Sequence, residues 1–506
     1  MRYRQGFPPG TCSGEGRAMF RHIPRALLGA ALLWGCGDKP SPDLTPPSVL
    51  LTTPREVWRQ RVRLTGLAGD DTGVERLTWW LNGGEAQVLE STAAEGGRAF
   101  SLELLSRPGA NTLVVRAEDA AGNVTDASTS FQVSFGPLVS AGGLHGGTVR
   151  GGQLYTWGQN TQGQLGLGDT TARPLPTVVA DLSQVASIAF NSNTSLAIRE
   201  DGSVWTWGAN ASGQLGLGTP PVDGQTRTPD TQARNRPTQV PGLTGAVSGA
   251  LGFSHALVLL ADGSVVAFGK NNNGQLGDGT TTDRDYPVRV LGLTDVVKLA
   301  GGSQQSVALK RDGTVWAWGN NDSGNLGQGA EDTVAHPEPA QVPGLSGVVD
   351  IASGREHMLA LHTDGTVSAW GLNASGQVGN GEGGTGLEVY APVKVVGLTD
   401  VVAVYANSNF SLALKADGTL WGFGQNFNGQ LGNGQSGKDY QADPLADTAV
   451  VGLSDLRDVA AGSTFGLGLR RDGLLFGWGW NSNGSLGNDE LQNNWSFAEP
   501  VKVKLP

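Results

Sequence analysis

The sequence predicts an all-β chain in which a small β-sandwich precedes a ring of similar β-sheets. Glycine accounts for 78 of the 506 residues, without the three-residue period of collagen, and this favours a turn-rich β-structure. From about residue 138 a single motif recurs seven times, about 50 to 60 residues apart. A long internal period of this kind determines the architecture, because each repeat forms one small structural unit.

The N-terminal residues are expected to direct export. Residues 19–36 read MFRHIPRALLGAALLWGC, in which Arg21 and Arg25 precede an apolar run from Ala26 to Trp34. The run has the length of a signal-peptide core and is too short to span a bilayer. Residues 1–18 lack this character, so Met19 is a candidate start.

The end of this segment, LWGC, resembles the lipobox of bacterial lipoproteins, with Leu33, Gly35 and Cys36 in order. The resemblance implies that the Cys36 thiol is lipidated and becomes the mature N-terminus. An ordinary signal peptide with an incidental cysteine is the alternative. Gly37 follows in place of an aspartate, which favours the outer membrane or cell surface. Residues 37–47 are proline-rich and polar, as in an extended linker.

Residues 48–135 consist of short β-rich runs separated by turn residues, which predicts an antiparallel β-sandwich. The layout, above all VVRAEDAAGNVTD, resembles Ig-like modules of bacterial surface proteins. If Trp79 and Trp80 lie on a strand, they point to opposite faces. One is then expected in the core and the other on the outer face.

Several oxygen-bearing side chains of this module raise the question of a calcium site. They are Asp70, Asp71, Glu118, Asp119, Asn123 and Asp126. Carboxylates are suitable calcium ligands, but DAAGN is also an ordinary hairpin turn and the spacing of a calcium loop is absent. We therefore expect the turn and assign no metal or cofactor.

Residues 138–506 carry the seven repeats. Their clearest marks are aromatic-Gly pairs beginning at Trp157, Trp207, Phe268, Trp318, Trp370, Phe423 and Trp478. A Gly-rich turn such as GQLGLG follows each pair, after an asparagine; Asn160, Asn210 and Asn272 are expected to bond to the turn backbone. The aromatic residues are expected to wedge between neighbouring sheets.

A second mark is an Asp-Gly pair between the second and third strands in six units; the first unit has Gly151-Gly152. This pair predicts a tight hairpin with a type I′ turn, so each unit is a small antiparallel sheet. Seven such sheets can bury their faces by closing into a seven-bladed β-propeller. We expect closure through Val501 to Val503, which would complete the sheet that begins near Leu138.

The pattern WGxNxxGQLGxG resembles the repeats of the regulator of chromosome condensation family. The match covers about three quarters of the chain. It implies a seven-bladed propeller and, through the family name, raises guanine-nucleotide exchange on a small GTPase. An exported lipoprotein would not meet such a partner.

No catalytic pattern stands out among the potentially reactive side chains. His145, His255 and His357 share one repeat position and could in principle meet around a channel, but scattered structural histidines are the better interpretation. No HExxH motif, Ser-His-Asp order or phosphate loop is present, so we expect no enzyme. The net charge of −11 and the absence of a basic stripe argue against nucleic acid.

The sequence therefore predicts a cell-envelope binding scaffold, monomeric, whose propeller loops engage a protein or a glycan. The most variable loops are the candidates: residues 218–240, 327–342, 381–393 and 434–451. The first is the most basic, with Arg227, Arg234 and Arg236. Exchange-factor activity and enzyme inhibition are the alternatives.

Overall fold

The computed structural model describes residues 43–506 except 53–55, 58–60, 106–108, 134–137, 222–227, 385 and 442–448. The export segment, Cys36, most of the linker and Arg227 lie outside the described residues. The described elements are β-strands and one short 3-10 helix, Ser482–Gly484. Within these ranges there is no helix with the length and apolar character needed to cross a bilayer.

The first nine strands form two sheets, with the orders β1-β3-β7-β6 and β2-β9-β8-β4-β5. All pairs are antiparallel except β2 with β9. The strands are β1 (Ser48–Thr52), β2 (Glu56–Val57), β3 (Arg61–Gly69), β4 (Val74–Leu81), β5 (Gln87–Val88), β6 (Ser91–Ala94), β7 (Gly97–Leu105), β8 (Gly109–Asp119) and β9 (Val124–Val133).

Alternating apolar residues build the core of this module. Leu64, Phe100, Leu113 and Phe131 are among the residues buried there, and residues between them along the strands face outward. The expected split of the tryptophan pair is confirmed. Trp79 packs against the core, whereas the ring of Trp80 lies under the Arg116 guanidinium at 5.3 Å.

Two acidic residues of this module, Asp119 and Asp126, hold the local structure. The Asp119 carboxylate accepts hydrogen bonds from the backbone N–H groups of Ala121 and Asn123, each at 2.8 Å, so it holds the hairpin turn. Asp126 forms a two-bond pair with Arg116 at 2.7 and 2.8 Å. The turn interpretation of DAAGN is thus confirmed.

Seven four-stranded antiparallel sheets follow, each built from four consecutive strands. In sheets 1 to 4 the strands are β10 (Val139–Ala141), β11 (His145–Arg150), β12 (Gln153–Gly158), β13 (Arg173–Val178); β14 (Val185–Asn191), β15 (Thr194–Arg199), β16 (Val204–Gly208), β17 (Arg234–Gln239); β18 (Ala246–Leu251), β19 (His255–Leu260), β20 (Val265–Gly269), β21 (Arg284–Arg289); β22 (Val296–Gly301), β23 (Gln305–Lys310), β24 (Val315–Asn321) and β25 (Asp332–Gln341).

Sheets 5 to 7 continue the series in the same order. Their strands are β26 (Val348–Ser353), β27 (His357–His362), β28 (Val367–Leu372), β29 (Glu388–Lys394); β30 (Val401–Asn407), β31 (Phe410–Lys415), β32 (Leu420–Asn426), β33 (Lys438–Gln441); β34 (Leu456–Ala461), β35 (Phe465–Arg470), β36 (Leu475–Trp480) and β37 (Ser496–Lys502).

The repeated tryptophans lie between neighbouring sheets, as expected. Each is fully buried, and each indole Nε1–H donates to a backbone carbonyl in the turn of the preceding sheet at 2.8–3.1 Å. Trp157 of sheet 1 donates to Ser485 of sheet 7. Each tryptophan therefore contributes both buried apolar surface and a hydrogen bond between neighbouring sheets.

The asparagine that follows each aromatic-Gly pair holds the Gly-rich turn. Asn160 Oδ1 accepts from Leu165 N at 2.9 Å, and Asn210 Oδ1 accepts from Leu215 N at the same distance. In sheet 3 this residue is Asn271, which bonds to Leu276 N at 2.8 Å. The assignment of Asn272 was wrong by one position, because three asparagines stand in a row there.

The Asp-Gly turns differ from the prediction. Gly202 has a φ of +76°, but Asp201 is not in the left-handed region, and Gly202 N donates to Arg199 O at 2.9 Å. This is a type I turn followed by a left-handed glycine, the longer hairpin that also suits Asp-Gly. The two positive φ angles of a type I′ turn occur at Gly151 and Gly152.

The predicted mode of closure was also wrong. Strand β37 pairs with β36 inside sheet 7, with Val501 opposite Gly477, so among the described strands none is shared between sheets 1 and 7. The Pro-x-x-Val strand ends a repeat instead of opening one. Sheet 7 meets sheet 1 through packing and hydrogen bonds, among them Leu138 N to Asp458 Oδ2 at 2.8 Å.

Candidate binding site at one end of the ring

The loops between the first and second strands and those between the third and fourth strands share one end of the ring. This follows from the alternating strand directions of an antiparallel sheet. Side-chain contacts join the two sets: Gln164, in a third-to-fourth loop, donates through Nε2 to Asn193 Oδ1 at 3.0 Å. We call this end the loop end, and the end with the Asp-Gly turns the hairpin end.

The seven first-to-second loops form a hydrogen-bonded circle, which we call the loop ring. Each sheet donates at least one bond to the next, and sheet 7 donates to sheet 1. The bonds are Gly143 N to Ser192 O (2.8 Å), Asn191 Nδ2 to Leu251 O (2.8 Å), Phe253 N to Gly302 O (3.0 Å), Ser303 N to Arg355 O (2.8 Å), Arg355 N to Ser408 O (2.8 Å), Asn407 Nδ2 to Ala461 O (2.9 Å) and Ser463 N to Gly142 O (3.2 Å).

Two local sequences build these loops. In sheets 2 and 6 the sequence is Asn-Ser-Asn, and the serines, Ser192 and Ser408, adopt φ angles of +46° and +45°. The preceding asparagine supplies the bond to the next sheet through its side chain. In the other five sheets the loop begins with a glycine. The ring or amide of the residue three positions later fills the space that a Cβ on this glycine would need. At Gly142 such a Cβ would lie 2.2 Å from the His145 ring.

The three repeat-position histidines are buried beneath the loop ring in separate sheets. His145, His255 and His357 each contact a serine of the next sheet through Nε2, at 3.1, 2.9 and 2.9 Å. Each serine hydroxyl donates its proton to a turn carbonyl at 2.7–2.8 Å. The serine oxygen must therefore accept from the histidine, so each Nε2 carries the proton.

This arrangement makes the histidines structural, as expected from the sequence. Burial lowers the pKa of His145 and His357 to about 3 and that of His255 to about 4, so all three are neutral at pH 7. A protonated Nε2 is not available as a metal ligand. Each imidazole instead forms a hydrogen bond that joins two neighbouring sheets.

A cavity of about 710 Å³ lies at the loop ring and is lined by residues from all seven sheets. The middle residue of the first-to-second loop is glycine or serine in five of the seven sheets. Sheets 3 and 5 differ, with Phe253 and Arg355. Phe253 is 59% exposed, and the Arg355 side chain is 62% exposed. Of the described lining residues, Arg355 carries the one formal charge.

The cavity lining keeps hydrogen-bonding groups that the fold does not use. Asn193 Oδ1 accepts from Gln164 and Gln304 Oε1 accepts from Asn273, which leaves the Asn193 Nδ2 and Gln304 Nε2 donors facing no protein acceptor in the described chain. Within the same ranges, no side-chain partner is found for the hydroxyls of Ser192, Ser303, Ser408 and Ser463. Such groups are available to a ligand.

The described residues of the four variable segments predicted to bind partners belong to third-to-fourth connections, which leave the loop end, and to the fourth strands that follow. For example, residues 381–393 include most of β29 (Glu388–Lys394). The basic character of the first segment is reduced, because Arg234 pairs with Asp230 at 2.6 Å and Arg236 pairs with Asp181.

Sequence reasoning missed Phe253 and Arg355, although a signal for both was present. The loops read GGL, NSN, GFS, GSQ, GRE, NSN and GST when the seven units are aligned on the second strand. Two of the seven middle residues are large, and five are glycine or serine. Comparing the units position by position would have identified these two departures.

Comparison with known proteins identifies the repeats. A family model described as an RCC1-like domain matches residues 116–396, more than half of the chain. Models of the regulator of chromosome condensation (RCC1) repeat match within residues 401–506. The ultraviolet-B receptor UVR8 of Arabidopsis thaliana is 29% identical over 73% of this chain and 70% of its own length.

Human E3 ubiquitin-protein ligase HERC2 is 30% identical over 67% of this chain, but that match spans 7% of its length. Among solved structures, yeast RCC1 (Prp20) bound to Kap60 superimposes with a TM-score of 0.61 at 24% identity, covering 73% of this chain and 85% of that one. Human WBSCR16 gives 0.59 at 21% identity, covering 70% and 95%. These structures support the propeller fold.

Proposed function

Because this chain belongs to the RCC1-like domain family, we propose that it acts as a binding scaffold, and not as an enzyme, with the loop end of a seven-bladed propeller engaging a protein or glycan partner. The single observation that carries this proposal is the cavity at the loop ring. It combines exposed Phe253 and Arg355 with hydrogen-bonding groups that the fold leaves unused. Binding surfaces typically join aromatic and arginine side chains of this kind.

The related proteins favour a binding role. Yeast Prp20 has been solved in complex with Kap60, and a second Prp20 study concerns binding to Gsp1p and histones. Those partners belong to the yeast protein. They support the view that this fold presents loops to other macromolecules, because a rigid scaffold with variable loops can acquire different partners.

We further propose that the scaffold is exported and anchored through Cys36. The lipobox-like LWGC, the proline-rich linker and a small Ig-like sandwich would then carry the propeller away from the membrane. The two packed sheets of residues 48–133 are consistent with such a spacer module.

Location is tested with the full chain and Cys36→Ala in a Gram-negative host, by fractionation and metabolic lipid labelling. We expect wild type to be labelled and membrane-bound and Cys36→Ala to be neither. If wild type remains unlabelled in the cytoplasm, the export proposal fails, and an intracellular partner such as a small GTPase becomes the better hypothesis.

Binding is tested by capturing cell-envelope proteins and glycans on the purified full chain, with Phe253→Ser/Arg355→Ser alongside. The matched control is Arg471→Ser at the hairpin end, which is 66% exposed and ion-paired with Asp455, much as Arg355 pairs with Glu356. A specific partner lost in the double variant and kept by the control supports the proposal. Equal capture by all three proteins contradicts it.

A further inference from the structure

The chemistry of the loop-ring cavity narrows the class of ligand, an inference that rests on the proposed function. Part of the loop ring is already committed, since backbone or amide groups of each sheet bond to its neighbour around the full circle. A peptide that binds by adding a strand needs free backbone N–H and C=O groups. The groups that already bond between sheets are not free for strand addition, and the side chains of the cavity offer unused groups.

The available side-chain groups are biased toward donors. The oxygens of the Asn193 and Gln304 amides are occupied by Gln164 and Asn273, which leaves their NH₂ groups. Arg355 uses Nε for Glu356 at 3.2 Å, which leaves the two terminal nitrogens of a planar guanidinium. A donor-rich site of this type suits a ligand rich in oxygen acceptors, and the guanidinium fork matches a carboxylate.

Phe253 adds an apolar surface to this polar circle. The residue is 59% exposed, and Ser303 of sheet 4 lies between it and Arg355 in the order of the sheets. The negative face of an aromatic ring attracts the polarised C–H groups on one face of a sugar. Hydroxyl groups spread around the sugar edge would meet the serine hydroxyls spread around the ring.

The volume is appropriate for such a ligand. About 710 Å³ lies within the range of small-molecule sites and accommodates a short oligosaccharide. We propose that the loop-ring cavity binds a carbohydrate that bears a carboxylate, with the sugar face on Phe253 and the carboxylate on Arg355.

Two pairs of probes test this by isothermal titration calorimetry on the full chain. Tri-galacturonate is compared with galactotriose, and 3′-sialyllactose is compared with lactose. The variants are Phe253→Ser and Arg355→Ser, because serine occupies the same position in sheets 2, 4, 6 and 7 and is compatible with the loop. Arg471→Ser is the charge-matched control at the hairpin end.

We expect at least one acidic probe to bind at least tenfold more tightly than its neutral counterpart. Arg355→Ser should remove that difference, Phe253→Ser should weaken both probes at least tenfold, and Arg471→Ser should change neither. Salt should weaken the acidic probe more than the neutral one.

Three results would overturn the inference. The first is that neither acidic probe shows saturable binding. The second is that the acidic and neutral probes bind with equal affinity. The third is that neither serine variant changes the affinity. Displacement by a short peptide with a free C-terminal carboxylate, without sugar binding, would assign the cavity to a peptide terminus instead. If an envelope partner is lost in the double variant while neither acidic probe binds, the scaffold function stands and the carbohydrate assignment falls.

Discussion

The two ends of the ring use their polar side chains differently. At the hairpin end, Asp201, Asp312 and Asp417 each accept hydrogen bonds from the backbone N–H and the hydroxyl of the residue two positions later, at 2.6–3.0 Å. At the loop end, the serine hydroxyls of the ring make no such bond in the described chain. The polar side chains of the hairpin end bond to their own turns, whereas the serine hydroxyls of the loop end can bond to a ligand.

This difference shows how to separate fold from function in a repeat protein. A residue that recurs in every unit at one position, with the same contact each time, stabilises the sheets. A residue that departs from its equivalents and leaves its polar or apolar surface exposed, as Phe253 and Arg355 do, has no role in that shared packing.

Acid should destabilise the ring through its buried histidines. The pKa of each falls from 6.5 to about 3 or 4 on burial, so below pH 6.5 the unfolded chain binds protons that the folded chain does not. Stability present above pH 6.5 is therefore lost as the pH falls, by about 2 kcal/mol per histidine at pH 5. Urea unfolding at pH 7 and pH 5 measures this loss.

One comparison checks the cause of the acid effect. His357→Gln should reduce the pH dependence by roughly a third, because one of three equivalent sites is removed; glutamine already occupies this position as Gln305. Asp458 acts in the opposite direction, since burial raises its pKa to about 6 and the folded state gains protons between pH 6 and 4. A pH dependence identical to wild type in His357→Gln would contradict the histidine account.

Trp157→Ala should lower the free energy of unfolding by about 3–5 kcal/mol, because it removes a buried wedge and leaves a cavity at the seam between sheets 1 and 7. Trp157→Phe is the matched control, since Phe268 and Phe423 fill this position elsewhere; it should cost about 1–2 kcal/mol. Chemical denaturation measures both. A loss below about 1 kcal/mol for alanine would show that the seam is not held by this wedge.

Asp312→Ala should cost about 1 kcal/mol, because the carboxylate holds its hairpin turn by accepting bonds from Thr314 N at 3.0 Å and Thr314 Oγ1 at 2.7 Å. The same denaturation series measures it. Binding of any ligand at the loop end should be unchanged. Loss of binding in this variant would mean that the two ends are not independent.

The structural features that recur in every repeat were predicted correctly from the sequence. The features that the repetition does not determine, such as the closing strand and the hairpin type, were predicted wrongly. The seven four-stranded sheets, the wedges at Trp157 and its equivalents, and the structural histidines follow from repeated residues with repeated contacts. The closing strand was misplaced because a cyclic repeat has no intrinsic starting point, so either phase of the motif fits the pattern. Asp-Gly is compatible with two hairpin types, and the one with the type I turn is observed.

The candidate site was predicted in part. The variable loops were correctly associated with one end of the ring, but the cavity and its two large residues were not foreseen. Cavities form where separate sheets converge, and a single sequence does not give the distances between loops far apart in the chain, such as those of Gly142 and Ser463.

The most direct test of the contrast between the ends is the double variant Phe253→Ser/Arg355→Ser, with unfolding and binding measured on the same preparation. Because serine is accepted at this position in four other sheets, the free energy of unfolding should change by less than about 0.5 kcal/mol, while binding of the acidic saccharide or captured partner falls at least tenfold. A stability loss above about 2 kcal/mol with binding retained would show that these residues serve the fold, and would contradict the account.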